Sequence, residues 1–116
     1  MVKTDKELTK EERTAKKYRI LKNTFKNLPK EKQKIAEDLI KNAAFMATTL
    51  EDLQKEINQN GPTEEYKNGA NQTGRKPSSA ATIYNKMLPS YNSCIRNLMA
   101  LLPKGSEEEK DGFEDF

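Results

Sequence analysis

Arg13, Lys16, Lys17, Arg19, Lys22 and Lys26 crowd six cations into fourteen residues, and between Arg13 and Lys34 there are nine Lys/Arg against one acid, Glu31. Lysine and arginine at this density do one kind of chemistry well. They neutralise backbone phosphates and release condensed counterions, which gives affinity for nucleic acid without reading its sequence. These six residues are the candidate DNA contacts. The same cations would also serve as the solvated face of a long helix.

Other chemistries find little material. The chain has no histidine, so the commonest general base and transition-metal ligand is missing. Its one cysteine, Cys94, cannot form an internal disulfide or a zinc site with several sulfur ligands. Cys94 lies beside an apolar helical stripe and reads as a small packed residue rather than a nucleophile. The acid pairs Glu37-Asp38 and Glu51-Asp52 do not converge, because neighbouring helical residues point about 100° apart. They read as a solvated face with helical ion pairs. The segment "GANQTGRK" (Gly69 to Lys76) approaches the phosphate-loop pattern G-x-x-x-x-G-K-[ST]. The match fails at Arg75, which displaces the lysine by one place, and at Pro77, where a magnesium-binding hydroxyl belongs. No catalytic residue, metal ligand or cofactor follows, and the chain reads as no enzyme.

The elements that would carry the basic face are helical. Leu8, Ala15, Tyr18, Leu21, Phe25 and Leu28 fall on one face of a first helix over about 4–28, closed by Pro29. A second helix runs from Pro29 to about Asn58. Its Leu39, Ala43, Met46, Leu50, Leu53 and Ile57 follow a 4-3-4-3-4 spacing, a heptad seam suited to oligomerisation or to packing on the chain's own helices. "NQNGP" stops it. A third helix follows Pro77 with a serine cap and carries Tyr84, Met87, Leu88, Tyr91, Ile95, Leu98, Met99 and Leu102 on one stripe. Pro89 inside that stripe should kink or split the helix. The fold class is all-α: basic N-terminal helix (1–29), long heptad-seam central helix (30–59), polar loop (60–78), Pro-kinked third helix (79–103). An acidic tail, 104–116, is expected to be disordered. Asn68-Gly69 is a hairpin-turn pair, so the loop can hold a short hairpin, although its flanks lack alternating apolar residues. Tyr66 reads as its anchor onto a helix, with Lys67, Arg75 and Lys76 outward.

The 116 residues contain 34% hydrophobic and 34% charged residues, poor material for an isolated core, so self-association is expected. The net charge of +3 conceals alternating blocks of +7 (1–34), −5 (35–66), +5 (67–103) and −4 (104–116). Such alternation suits partners of both signs. No apolar run is long enough for a membrane span and the N-terminus lacks a signal-peptide core, so a cytoplasmic location is expected.

From Phe45 onward the chain resembles the small terminase subunits of tailed phages and of prophages in Gram-positive bacteria. The layout that carries this is a helix stopped at Gly61, a polar stretch with Gly74 and Pro77, and a helix with Tyr84 and Tyr91 ending in Leu101-Leu102-Pro103. The resemblance covers about half of the chain. It implies a non-enzymatic DNA-packaging protein that binds double-stranded viral DNA in the host cytoplasm and assembles as a homo-oligomeric ring. Such a protein regulates or recruits the large ATPase/nuclease subunit, and Phe113 and Phe116 in the acidic tail would dock on that partner. The N-terminal helix-turn-helix that many such proteins carry is not evident here. The alternative is a small helical regulatory module that holds a partner's helix on the seam and binds no DNA.

Overall fold

The structure, a computed structural model, describes residues 7–103. Five elements follow in order: α1 (Lys10–Thr24), α2 (Lys30–Asn60), β1 (Thr63–Lys67), β2 (Thr73–Pro77) and α3 (Ser79–Ala100).

Each boundary has a local cause. Thr9 starts α1 with a capping box: its hydroxyl accepts from the Glu12 amide at 3.1 Å, and the Glu12 carboxylate accepts from the Thr9 amide at 3.2 Å. The helix therefore begins at Lys10 rather than at Thr4. It also ends at Thr24, earlier than the apolar spacing suggests, because Phe25 and Leu28 turn back into the core. Gln33 holds that turn, donating its side-chain amide to the Leu28 carbonyl at 2.7 Å. Pro29 caps the start of α2, where its missing N–H costs nothing. Gly61 ends α2 at φ 84°, ψ 163°, a conformation open essentially to glycine alone. Ser78 caps α3 by accepting from the Ala81 amide at 3.1 Å. Pro89 does not split α3: it sits on an exposed edge inside one continuous helix.

Both flanking helices run antiparallel to α2. Arg13 at the start of α1 meets Glu51 and Asp52, whereas Lys22 near its end meets Glu37. On the other side, Gln54 donates to Tyr84, Cys94 Sγ–H to the Leu39 carbonyl, and Lys32 to the Leu101 carbonyl. The three helices converge at one end of the molecule. There Leu21, Phe25 and Leu28 pack with Ala36, Ile40, Ala43, Cys94 and Leu98 in one buried cluster.

The chain is mostly helical but not all-α, because the polar loop is an antiparallel hairpin. Thr63 pairs with Pro77 and Lys67 with Thr73, and the Asn68 amide donates to the Gln72 carbonyl at 2.8 Å. The ladder runs on to the helix ends through Ser78 N–H to the Pro62 carbonyl at 2.9 Å. Gly69, at φ 96°, makes the turn. Tyr66 does not anchor the loop on a helix. Its ring crosses to the facing strand and lies over Gly74, where a Cβ would stand 2.8 Å from the Tyr66 hydroxyl.

Candidate nucleic-acid interface

The six candidate cations of α1 divide into two sets. The first faces α2, whose acidic block answers it. Arg13 holds Asp52 at 2.8 Å and Glu51 at 3.0 Å, and Lys17 reaches Glu51 at 3.3 Å; both basic side chains are largely covered. Burial pulls the Arg13 guanidinium pKa down, but the hydrogen bonds to Asp52 and Glu51 outweigh it, and the net shift is upward. Lys22 pairs with Glu37 at 2.6 Å, and the Tyr18 hydroxyl donates to the same carboxylate. Hydrogen bonds from Lys22, then from Tyr18, hold the Glu37 carboxyl below its ordinary range and raise both partners. Between these clusters the Thr14 hydroxyl donates to Thr48 Oγ1 at 3.0 Å, and Thr48 passes its own proton to the Ala44 carbonyl at 3.0 Å. Arg13, Lys17 and Lys22 thus hold α1 on α2.

The second set faces outward. Lys16 and Arg19 are exposed and, with Asn23, follow i, i+3, i+7 spacing on one face of α1, roughly 10 Å long, and Lys26 is exposed in the turn that follows Thr24. Arg19 and Lys26 have no ion pair among the described residues. Lys30 and Lys34, exposed and one helical turn apart at the start of α2, follow in the chain. The candidate set omitted those two. The signal for them was the charge block itself, which runs to Lys34. Exposed lysines and arginines of this kind neutralise phosphates without reading sequence.

The heptad seam is divided too. Ala43 and Leu50 are buried inside the chain, and Leu39 and Met46 pack against the core. The chain's own helices cover Ala43 and Leu50. Leu53 and Ile57 are only half-buried, at the end of α2 that α1 does not reach. Phe113 and Phe116 lie outside the described residues.

Cys94 is buried, and burial pushes its thiol up, away from the reactive thiolate. Burial likewise pushes Tyr91 up to about 12. Among the described residues no group of three or more acids, histidines or cysteines could hold a metal, and no helix is long and apolar enough to cross a membrane. Compared with family models, curated proteins and solved structures, the chain matches none.

Proposed function

We propose that the protein is a non-enzymatic DNA-packaging adaptor, a small terminase subunit that binds double-stranded viral DNA, oligomerises, and recruits or regulates the large ATPase/nuclease subunit. The observation that carries the DNA contact is the set of exposed cations Lys16 and Arg19 on the side of α1 turned away from α2, followed by Lys26 in the turn and by Lys30 and Lys34 at the start of α2. Arg13, Lys17 and Lys22 are structural in this reading. Support for the packaging role comes from the resemblance, whose marker residues build one folded unit. Gly61 stops α2, Gly74 lies under Tyr66, Pro77 closes β2, and Tyr84 and Tyr91 line the α3 stripe toward α2. Assembly falls to surfaces the monomer leaves open, Leu53 and Ile57 among them, and the tail aromatics Phe113 and Phe116 serve the large subunit.

The test is a salt titration of duplex binding with light-scattering mass measured alongside. Binding should weaken steeply with salt, by a log–log slope of about 0.9 per phosphate contact. Lys16→Glu/Arg19→Glu/Lys26→Glu should abolish it while fold and mass are kept. A monomer that binds no duplex at low salt overturns the reading and leaves the regulatory module.

A further inference from the structure

An apolar groove of about 650 Å³ runs between the N-terminal half of α1 and the middle of α2, on the face turned away from α3. Ala15, Ala44, Tyr18 and Phe45 form its apolar lining, and Lys10 and Lys41 stand on its rim with Glu11 as the one acid. Phe45 is 52% exposed, the second most exposed large apolar side chain among the described residues. The Lys10 ammonium lies 4.9 Å from the centre of its ring, a cation over an otherwise uncovered aromatic face. A groove with this lining selects a ligand that brings aromatic side chains flanked by acids.

We propose that the occupant is the chain's own segment 104–116, with Phe113 and Phe116 seated against Phe45, Ala15 and Tyr18, and the flanking acids against Lys10 and Lys41. Three observations support it. The segment carries six acids and two lysines, a charge of −4, and its two aromatics are three residues apart. Its charge is opposite to that of the rim. It also starts close enough. The Lys32 side chain donates to the Leu101 carbonyl at 3.4 Å, which sets the end of α3 beside the start of α2. From there Lys41 and Phe45 are nine and thirteen residues along α2, roughly 14 and 20 Å, and crossing to the face turned away from α3 adds roughly 10 Å. The ten residues from Pro103 to Phe113 span up to roughly 33 Å when extended. A tether of this length holds its ligand at an effective concentration on the order of millimolar, so a weak contact suffices. If the proposed function holds, a tail seated in this groove is withheld from the large subunit; the docking itself does not depend on that function.

The experiment uses the isotope-labelled full chain and its Phe113→Ala/Phe116→Ala variant. Removing the two rings should shift the methyl signal of Ala15 and the ring signals of Tyr18 and Phe45, while Leu21 and Leu98 in the core stay in place. Phe45→Ala, at an exposed site that leaves the core intact, should produce the reciprocal shifts at Phe113 and Phe116. Lys10→Glu/Lys41→Glu should reproduce the groove shifts in part. All of them should persist unchanged on hundredfold dilution. Unaltered groove signals in the double variant overturn the proposal. Shifts that vanish on dilution overturn it as well, since the tail of a second copy would then be the occupant. Loss of duplex binding bears only on the proposed function and leaves these readouts unaffected.

Discussion

The two halves of α2 have the same apolar spacing and different neighbours. As far as Leu50 the helix lies between two others, and there most of its buried positions are small: Ala36, Ala43, Ala44, Ala47 and Thr48, with Ile40 and Leu50 as the large exceptions. Alanine lets α1 and α3 both approach the same helix closely. Beyond Leu50 no residue of α2 is buried, and the apolar residues are large, Leu53 and Ile57, facing α3 and solvent. A residue packed from two sides must be small or fully enclosed; one packed from a single side can be large and stay half-open. A heptad pattern records the spacing but not the number of neighbours. One seam can thus be core at one end and free surface at the other.

The sharpest way to break this comparison is to truncate one leucine at each end. Leu98 is 0% exposed in the three-helix cluster, so Leu98→Ala should cost about 2–5 kcal/mol, through lost burial and the cavity left behind. Leu53→Ala, half-buried at the other end, should cost on the order of 1 kcal/mol. Urea unfolding with unchanged slopes measures both. Equal losses would mean that the distal half is as well enclosed as the proximal one.

Next in size is the joint between α2 and the hairpin. Gly61→Ala places a Cβ on a backbone at φ 84°, ψ 163°, and should cost about 1–3 kcal/mol even though no atom stands within 4 Å of that Cβ. Gly74→Ala meets real atoms, the Tyr66 ring at 2.8–2.9 Å, yet should cost less. Tyr66 is an exposed side chain that can swing aside, whereas the Gly61 backbone cannot change without redirecting the hairpin. Amide exchange in Thr63–Lys67 should accelerate in the first variant more than in the second. Thr48→Val comes after these: it deprives the Ala44 carbonyl and the Thr14 hydroxyl of a partner at the buried α1–α2 contact, and should cost about 1 kcal/mol by the same unfolding measurement.

What could be read in the sequence follows the range of each interaction. The stops and starts at Pro29, Gly61 and Ser78 are local chemistry, and the structure has them where the residues put them. The capping box at Thr9 is equally local, "TKEE", but the apolar spacing that continues back to Leu8 masks it. The hairpin had one local mark, Asn68-Gly69. Its strands have no alternating apolar face because they cover no core; cross-strand hydrogen bonds and the helix ends hold them. The basic face was legible as charge, but its division was not. Which cations are spent depends on Glu37, Glu51 and Asp52, placed 15 to 39 residues away from their partners by the antiparallel packing of α2. Spacing on α1 alone cannot choose between Arg13 and Arg19.

The smallest expected effect contrasts two ion pairs by their response to pH. At the proximal end, hydrogen bonds from Lys22 and Tyr18 hold the Glu37 carboxyl below its ordinary value. A depressed carboxyl contributes stability that is complete above its unfolded pKa of about 4.3 and is lost as pH falls through the folded value. Tyr18 and Lys22 are raised by the same contact, so their share is complete below their ordinary values near 10 and is lost as pH climbs past them. Glu37→Gln removes both arms. The stability gap between the parent and this variant should therefore be flat from about pH 5 to 9.5, and should close on either side of that window. At the distal end Lys76 and Glu64 stand 3.6 Å apart with both side chains open to solvent. Glu64→Gln should change stability by less than about 0.5 kcal/mol, because an exposed pair is screened and loses side-chain freedom in forming. A Glu37 gap that stayed constant into acid would show that its carboxylate is worth no more than its amide shape, and that α1 is held on α2 by the Arg13 cluster and the Thr14–Thr48 contact instead.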